Sequence, residues 1–389
     1  MGLRILMISD VYFPRVNGVS TSIKTFRNKL SELGHEVTLI APEYGPYDTS
    51  DDLLIRIPSR YLPMDPEDRL MRRKDILALT EGLRRKQFDV IHVQTPFLAH
   101  YVGVQLSKAL GIPVVESYHT YFEEYLYHYL PLLPRSWMRF AARWFTRRQC
   151  NKVDALVVPS EAMRTVILDY GVKRPTHIIP TGVEEIYLDW KGPANFRATH
   201  DIAEDRPLMV HIGRVAHEKN IDFLFRVLDQ VRQTIPDVLM VIAGEGPALG
   251  HLNNLARKMG LGEHLLFVGY LDRDTTLKEC YNAGNAFVFA SRTETQGLVL
   301  LEAMAIGTPV VSTAVMGTRD ILKPEKGALV AEEDVGDFAG KLIRLLNDTE
   351  LQKRLGTEAH DYACTWSSEE MALKMLGFYQ ETIEASQKP

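Results

Sequence analysis

The chain has 389 residues, of which 46% are hydrophobic and 24% are charged, and its formal net charge is −5. This balance is typical of a globular protein rather than a disordered one, and the length suits two or three domains. The slightly acidic charge gives no indication of a nucleic-acid partner. There is no run of 18 or more apolar residues, so the sequence predicts no membrane-spanning helix.

The N-terminal run Arg4–Ser9 predicts a buried first strand, because Asp10 ends it and no small-residue cleavage site follows, as a signal peptide would need. The three cysteines, Cys150, Cys280 and Cys364, are widely spaced and form no metal-ligand pattern. We therefore expect free thiols in a reducing cytosol and no metal site.

Strand-like apolar runs alternate with helix-like segments throughout, which predicts doubly wound parallel sheets. In the first part, the predicted strands are Arg4–Ser9, His35–Ala41, Val90–Val93, Val114–Ser117, Ala155–Pro159 and His177–Ile179. The pattern then restarts with strands at Leu208–Ile212, Val238–Gly244, Leu265–Val268, Ala286–Ala290, Pro309–Thr313 and Ala328–Val330. The clearest predicted helices are Ser20–Leu33, Ile221–Gln233 and Ala248–Lys258.

The stretch from Pro180 to Pro207 has little periodicity, and we place a domain boundary within it, near residues 184–200. We expect a first domain at residues 1–184, a second at 200–365, and a C-terminal helix at 366–389 that packs back on the first. The predicted architecture is α/β, with two doubly wound Rossmann-like domains and a cleft between them. In such folds, ligands bind beyond the carboxyl ends of the strands.

Glu294 and Glu302 lie eight positions apart and flank a glycine that precedes a helix-like run. At the start of that helix, the backbone N–H groups of Gly297, Leu298 and Val299, aided by the helix dipole, would attract an anion. A phosphate held by amides, with a carboxylate on either side for sugar hydroxyls, would suit a nucleotide sugar. The alternative is an ordinary surface loop before an amphipathic helix.

Three further loops follow predicted strands. Arg214 and Lys219 are placed to hold a diphosphate, although two solvated basic side chains are the alternative. Gly18 lies in a turn that would let the backbone approach a ligand, ahead of a helix that Ser20 or Thr21 would cap. His119 follows a buried strand at the edge where a cleft should open, although a lone histidine is more often structural.

Together, these motifs resemble the retaining glycosyltransferases of family 4, which have the two-domain GT-B fold. The resemblance covers essentially the whole chain in the right order. It includes the segments VPSEAM (158–163), IIPTGVE (178–184), VIAGEGP (241–247) and the E-x7-E element followed by EAMAIGTPVV. One departure is Thr181, where the family commonly has Asn in an interdomain turn.

The resemblance implies a role for each charged residue. Arg214 and Lys219 would neutralise the diphosphate of the donor, a nucleotide sugar such as a UDP-sugar, with no metal or other cofactor. Glu294 would contact the transferred sugar, and Glu302 would bind the ribose hydroxyls. The implied reaction is a same-face attack in which the departing phosphate takes the proton of the acceptor.

The resemblance also implies roles for glycines, amides and a histidine. The amides from Gln296 to Val299 would bind phosphate and sugar. The base would be held through the backbone of Gly269, Tyr270 and Leu271. Gly18 would let a loop of the first domain close over the phosphates, and His119 would line the sugar and acceptor side.

The segment Arg135–Arg148 predicts a basic amphipathic helix. Its apolar residues at helical spacing are Trp137, Phe140, Ala141, Trp144 and Phe145, and its basic row is Arg135, Arg139, Arg143 and Arg147. Such a helix fits a membrane surface that contains anionic lipid. The alternative is that the apolar stripe packs in the core and the arginines are solvated. Further basic clusters lie at Arg69–Lys74 and Arg84–Lys86.

The segments 119–134 and 17–26 resemble the subgroup of the family that glycosylates diacylglycerol. We therefore expect a hexosyltransferase with a lipid acceptor, peripherally bound to the inner face of the cell membrane. A phosphatidylinositol, polyprenyl-linked or soluble acceptor is the first alternative, and a non-catalytic nucleotide-sugar-binding protein is the second. The oligomeric state cannot be predicted from the sequence.

Overall fold

The computed structural model describes residues 2–45, 51–62, 65–119 and 135–387. Within it, the chain divides into two compact units. The first unit is Met1–Gly182 together with Ser368–Pro389, and the second is Val183–Ser367. Each unit is built on its own parallel sheet, with helices in the connections between the strands.

The strands of the first unit are β1 Arg4–Ile8, β2 Glu36–Pro42, β3 Leu54–Ile57, β4 Ser59–Leu62, β5 Asp65–Met71, β6 Val90–Val93, β7 Val114–Ser117, β8 Ala155–Val158 and β9 Thr176–Ile178. Its parallel sheet has the order β3-β2-β1-β6-β7-β8-β9, while β4 and β5 form a separate antiparallel pair. Strands β6, β7 and β8 are buried along their whole length, as expected of central parallel strands with both faces covered.

The strands of the second unit are β10 Leu208–Ile212, β11 Leu239–Ala243, β12 Leu265–Gly269, β13 Ala286–Phe289, β14 Val310–Thr313 and β15 Ala328–Ala331. They form one parallel sheet with the order β12-β11-β10-β13-β14-β15. The order reverses at β10, where the chain passes from one half of the sheet to the other. Ligands of doubly wound sheets bind at such a switch point, beyond the carboxyl ends of the strands.

The helices are α1 Gly18–Glu32, α2 Arg73–Leu77, α3 Thr80–Lys86, α4 Leu98–Leu110, α5 Arg135–Cys150, α6 Glu161–Asp169, α7 Glu185–Leu188, α8 Phe196–Thr199, α9 Ile221–Val231, α10 Leu249–Lys258, α11 Thr276–Ala283, α12 Leu298–Ala305, α13 Thr318–Leu322, α14 Val335–Asn347, α15 Thr349–Cys364 and α16 Ser368–Gln387. Single 3-10 turns lie at His217–Lys219 and Gly262–His264. Both units therefore have the α/β architecture that the alternating sequence pattern predicts.

The cap of helix α1 differs from the one expected. Asn17, rather than Ser20 or Thr21, is the N-cap residue, and its side chain accepts a hydrogen bond of 2.8 Å from the Ser20 N–H. Gly34, with φ of 86°, follows the helix in the left-handed conformation. Since Ser20 and Thr21 are buried inside the first turn, they cannot serve as caps.

Helix α16 returns the chain to the first unit after the second has been completed. It packs against α1, and its residues Met371, Met375 and Tyr379 are buried in the same core as β1 and β2. The Tyr379 hydroxyl lies 2.6 Å from His92 Nδ1, in the middle of β6. The C-terminal helix is therefore part of the first unit's core.

Residues 184–200 contain the two short helices α7 and α8. Tyr187 and Phe196, one from each helix, are buried in the core of the second unit. The β4–β5 hairpin has no counterpart among the predicted elements. The hairpin contains Arg69, which is part of a predicted basic cluster. The guanidinium carbon of Arg69 lies 3.5 Å from the ring centroid of Tyr61.

Candidate functional site

The loop between β13 and α12 carries Glu294. Gly297 caps the helix with φ of 98°, and a Cβ atom there would lie 3.0 Å from Thr318 Cγ2 and 3.2 Å from Leu300 Cδ1. The Gly317 N–H donates to the Glu294 carbonyl at 2.9 Å. Close packing against the segment that leads into α13 therefore fixes this loop.

Helix α12 begins directly after Gly297, at Leu298. The N–H groups in the first turn of a helix have no intrahelical partners, and the helix dipole places partial positive charge there. The amides of Leu298 and Val299 belong to this turn, and Gln296, just before it, is buried. The structure thus has the helix start that the sequence predicts between the two glutamates.

Glu294 is paired with Lys219, 75 residues earlier in the chain. The Lys219 Nζ atom lies 2.5 Å from Glu294 Oε2, and the two side chains are 19% and 20% exposed. Lys219 ends the 3-10 turn that follows β10, and Asn220 continues the chain with φ of 57°. Because β10 and β13 are neighbours in the sheet, the loops after them meet at the same edge.

Arg214 lies on the same loop as Lys219, but it is exposed and pairs with no residue that the structure describes. Its guanidinium is therefore available to an outside anion, which it can bind with two parallel N–H donors. The sequence predicts Arg214 and Lys219 as a matched pair of cations. In the structure, Lys219 neutralises a carboxylate, whereas Arg214 is exposed to solvent.

Glu302 lies in the second turn of α12 and is almost fully buried, with 3% of its side chain exposed. The Tyr281 hydroxyl donates to its Oε2 atom at 2.8 Å, and the Arg273 guanidinium forms an ion pair with Oε1. The Glu302 carboxylate raises the pKa of Arg273 above its ordinary value. The two glutamates of the E-x7-E element thus each contact a cation in this structure.

Neither partner of Glu302 is predicted by the sequence pattern. Arg273 is one of several charged residues in the loop after β12, and Tyr281 lies on an amphipathic helix, α11. Neither position has a spacing that indicates contact with residue 302. The only available signal was the position of Arg273 beyond the carboxyl end of a strand.

A third unpredicted polar residue is His211, in the middle of the second unit's sheet. It is fully buried, and its Nδ1 atom lies 3.0 Å from the Val288 carbonyl. Burial lowers the pKa of His211 to about 4, with the nearby Lys219 contributing in the same direction. The imidazole is therefore neutral near pH 7, and Nδ1 carries the hydrogen that it donates to Val288.

Gly269, Tyr270 and Leu271 lie where β12 ends. Gly269 has φ of 67°, and its carbonyl accepts a 2.7 Å hydrogen bond from the Gly244 N–H in the neighbouring loop. The Tyr270 side chain is 55% exposed. The backbone therefore takes a left-handed conformation at the last residue of β12, while its role in holding a base stays a prediction.

Gly18 and His119 belong to the first unit. Gly18 is the first residue of α1, and a Cβ atom there would meet nothing within 4 Å. His119 lies two residues beyond β7, and its Nε2 atom is buried with no hydrogen-bond partner among the described residues. Burial lowers the pKa of His119 to about 4, so it is neutral near pH 7. The predicted acceptor-side segment that follows, residues 120–134, lies outside the described residues.

The face of helix α5 that packs against the rest of the first unit is not the face that carries its aromatic stripe. Its buried residues include Met138, Ala142 and Thr146, at a spacing of four. Three aromatic residues of the stripe are highly exposed, at 76% for Trp137, 73% for Phe140 and 53% for Trp144, while Phe145 is half-buried. Packing in the core, one of the two alternatives for this stripe, is therefore wrong for these three exposed rings.

The described part of the basic row of α5 is also exposed to solvent. Arg139, Arg143 and Arg147 are exposed, and the guanidinium carbon of Arg143 is 5.5 Å from the ring centroid of Tyr170. Arg135 begins the helix, and its side chain lies outside the described residues. Within the part of the chain that is described, no helix is long and apolar enough to span a bilayer.

Two family models match the chain, one in each unit. "Glycosyltransferase Family 4" matches residues 16–185, and "Glycosyl transferases group 1" matches residues 194–362. The fold and these matches define the chain as a glycosyltransferase of GT-B type, with two Rossmann-like sheets, and as a hexosyltransferase. It belongs to glycosyltransferase family 4.

Individual relatives agree with this assignment. An alpha-monoglucosyldiacylglycerol synthase from Streptococcus pneumoniae is 31% identical, over 88% of this chain and 78% of the relative. A GDP-mannose-dependent alpha-mannosyltransferase from Mycobacterium tuberculosis is 27% identical, over 88% of this chain and 86% of the relative. Among solved structures, a sucrose-phosphate synthase from Thermosynechococcus elongatus shares the fold, with a TM-score of 0.79, 22% identity and coverage of 98% of this chain and 100% of that one.

Proposed function

We propose that this enzyme transfers a hexose, with retention of configuration, from a nucleotide sugar such as UDP-glucose to a membrane lipid acceptor such as diacylglycerol. The observation that carries the lipid acceptor is helix α5, whose aromatic residues and arginines are exposed together. A second support is the relative from Streptococcus pneumoniae, whose name describes glucosyl transfer to a diacylglycerol lipid.

In the proposed reaction, Arg214 and Lys219 bind the diphosphate of the donor. The bond between the anomeric carbon and the diphosphate oxygen breaks through an oxocarbenium-like transition state, and negative charge grows on the departing oxygen. Fixed cations and helix-start amides near that oxygen stabilise the transition state more than the ground state. The exposure of Arg214 and the partial exposure of Lys219 are consistent with a role toward an outside anion.

Glu294 has two functions in this proposal. It contacts hydroxyl groups of the transferred sugar, and its carboxylate fixes the Lys219 ammonium beside the sugar's phosphate. The acceptor hydroxyl attacks the same face that the diphosphate leaves, and the departing phosphate oxygen takes its proton. A new bond between the anomeric carbon and the acceptor oxygen replaces the broken one, so the configuration is retained.

The remaining donor contacts follow from the family resemblance. Glu302 binds the ribose hydroxyls, and the amides from Gln296 to Val299 contact phosphate and sugar. Backbone atoms of Gly269, Tyr270 and Leu271 hold the base. Gly18 lets its loop approach the phosphates, and His119, neutral near pH 7, lines the sugar and acceptor side.

The proposed membrane surface comprises Arg135, Trp137, Arg139, Phe140, Arg143, Trp144 and Arg147 on α5. Tryptophan and phenylalanine rings bury favourably at the boundary between head groups and acyl chains, and arginines attract anionic head groups. We infer that the enzyme binds peripherally to the inner face of the cell membrane, where a lipid acceptor is within reach.

One other donor has specific support. The relative from Mycobacterium tuberculosis is named as a GDP-mannose-dependent mannosyltransferase, so GDP-mannose is the second candidate donor. Backbone recognition of a base leaves little trace in the side chains of Gly269 to Leu271. The two donors therefore have to be separated by assay.

The test is a transfer assay with purified protein and liposomes that contain phosphatidylglycerol and diacylglycerol. UDP-glucose and GDP-mannose are supplied separately, and lipid products are identified by mass spectrometry. Parallel reactions replace diacylglycerol with phosphatidylinositol, a polyprenyl phosphate or soluble sugars. We expect a hexosyl-diacylglycerol with wild-type protein and none with Glu294→Ala. Transfer to a soluble sugar only would contradict the lipid acceptor.

A further inference from the structure

The carboxylate of Glu302 is held at both oxygen atoms by residues outside the E-x7-E element. Tyr281 donates to Oε2 at 2.8 Å, and Arg273 forms an ion pair with Oε1. These two donors come from different places: Arg273 from the loop after β12 and Tyr281 from helix α11. If the Glu302 carboxylate rotated, it would lose the hydrogen bonds that it accepts from both Tyr281 and Arg273.

Tyr281 is itself firmly fixed. It is fully buried, its carbonyl accepts a hydrogen bond of 2.8 Å from Thr308 Oγ1, and its ring lies 5.5 Å from that of Phe287. Burial raises the pKa of Tyr281, and the Glu302 carboxylate raises it further, so the hydroxyl keeps its proton and donates it. A rigid neutral donor thus defines the position of Oε2.

Arg273 is the more exposed partner, with 26% of its side chain accessible against 3% for Glu302. Its guanidinium carbon lies 6.0 Å from the ring centroid of Tyr187, a residue of helix α7. Since a buried carboxylate without a counter-charge is strongly disfavoured, Arg273 supplies the positive charge that Glu302 needs at its buried position. Its location toward solvent places the ion pair at the border of the core.

A carboxylate has about four acceptor positions on its two oxygens. Tyr281 and Arg273 occupy one on each oxygen, and no other residue in the described ranges donates to the second position on either oxygen. Two neighbouring hydroxyl groups, such as the 2′- and 3′-hydroxyls of a ribose, form a pair of donors that matches this arrangement. The fixed orientation would preorganise the carboxylate for this diol, because no side-chain freedom is lost on binding.

We propose that Arg273 and Tyr281 are positioning residues that hold the Glu302 carboxylate in the orientation required to bind the donor's ribose diol. They thereby determine the preference of the enzyme for ribonucleotide donors over deoxyribonucleotide donors. This inference rests on the proposed donor role of Glu302. Neither residue needs to touch the transferred sugar, so both act on binding and not on the chemical step.

The experiment compares UDP and 2′-deoxy-UDP binding, by calorimetry on the full chain, for four variants and the wild type. The variants are Tyr281→Phe, Arg273→Gln, Arg273→Lys and Glu302→Gln. Tyr281→Phe keeps the buried ring, and Arg273→Lys keeps the charge. Arg232→Gln, which breaks the Arg232–Asp229 ion pair at the end of α9, is the matched control. Thermal unfolding of each variant identifies any loss of folded protein.

We expect Tyr281→Phe and Arg273→Gln to weaken UDP binding about 10-fold, because hydrogen bonds to a charged group are among the stronger ones. Binding of 2′-deoxy-UDP should change less, so the preference for the ribonucleotide shrinks. Arg273→Lys should restore part of that preference, and the control should bind like wild type. In turnover assays with the active donor, KM should rise while kcat stays close to wild type.

The outcomes separate this inference from the proposed function. If Glu302→Gln keeps the full ribonucleotide preference, then the ribose-binding role of Glu302 is wrong and this inference fails with it. If Glu302→Gln loses the preference but folded Tyr281→Phe and Arg273→Gln both retain it, only the positioning role is wrong. Tighter UDP binding by Arg273→Gln would mean that Arg273 blocks the carboxylate, which also overturns the inference.

Discussion

Lys219 Nζ and Glu294 Oε2 lie 2.5 Å apart, although 75 residues separate them along the chain. Their loops follow β10 and β13, which are adjacent in the parallel sheet of the second unit. The ion pair is only partly shielded from solvent, at 19% and 20% exposure. A diphosphate next to Lys219 would therefore meet a cation whose position the carboxylate has already fixed.

Replacement of Lys219 or Glu294 should greatly reduce turnover while the fold survives. For Lys219→Ala we expect kcat to fall about 100- to 1,000-fold, equivalent to about 2.7–4 kcal/mol of transition-state stabilisation, by comparison with the loss of one oxyanion donor. Glu294→Ala removes the partner that fixes Lys219 and the proposed sugar contact, so its loss should be at least as large. Steady-state kinetics with the active donor measure both effects.

The control for these variants is Lys326→Ala, which removes an exposed lysine from the same unit. It should keep wild-type kcat and KM. Circular dichroism and thermal unfolding establish whether each variant is folded. Full activity in folded Lys219→Ala or Glu294→Ala would exclude the proposed site.

Arg214→Ala should weaken donor binding without a change in stability. Since Arg214 is exposed and pairs with no described residue, its removal should alter the free energy of unfolding by less than about 0.5 kcal/mol. UDP affinity should fall about 10- to 100-fold, as expected for a lost charge-assisted contact. Calorimetry at two salt concentrations measures the affinity for UDP. The affinity of the wild-type protein should fall more steeply with salt than that of Arg214→Ala. Unchanged affinity would remove Arg214 from the diphosphate site.

The pH dependence of stability should report on His211. Burial lowers the pKa of His211 from 6.5 to about 4, so the unfolded chain takes up a proton in this range before the folded chain does. Neutral, buried His211 therefore makes its full contribution to the free energy of unfolding above pH 6.5. This contribution is lost as the pH falls toward 4. The loss is at most about 1.4 kcal/mol per pH unit for one group.

His211→Gln should therefore lose less stability between pH 7 and pH 5 than wild type, by roughly 1–2 kcal/mol. Urea unfolding at the two pH values, followed by circular dichroism, is the measurement. The exposed residue His217 provides the control, because His217→Gln should follow the wild-type pH profile. An identical pH profile for His211→Gln and wild type would contradict the buried neutral state of His211.

Gly297→Ala should impair both folding and donor binding. A residue with a side chain at φ of 98° is strained, and its Cβ would lie only 3.0 Å from Thr318 Cγ2. We expect a loss of about 1–2 kcal/mol in the free energy of unfolding from the left-handed backbone alone. The relaxed loop should also misplace the amides of α12 and weaken UDP binding. Gly250→Ala, in a helix with open space around the glycine, is the matched control.

The exposed face of α5 should affect membrane binding but not stability. The triple variant with serine at positions 137, 140 and 144 removes three exposed rings, so thermal unfolding should stay close to wild type. Its sedimentation with phosphatidylglycerol liposomes should drop strongly, because the buried apolar area at the interface is lost. Ala142→Asp, on the buried face of the same helix, should instead unfold the protein. Unchanged liposome binding by the triple variant would remove the support for a membrane acceptor.

Most strands of both sheets could be predicted from the sequence, because central parallel strands are continuous apolar runs. The run at Leu208–Ile212 coincides with β10, and Val90–Val93 coincides with β6. The β4–β5 hairpin was missed, since its residues are largely polar and charged and form no such run. Helices α7 and α8 were missed because each has only four residues, too few to show a period.

The sequence by itself determined the α/β class, the repeated unit and the element with Glu294 and Glu302, since these depend on periodicity and short-range spacing. Only the tertiary structure decided which side chains meet. It joined Lys219 to Glu294 and Arg273 with Tyr281 to Glu302, because strand order brings distant loops to one edge of a sheet. It also decided which face of α5 is buried, since both faces of that helix carry apolar residues and only packing against the rest of the unit distinguishes them.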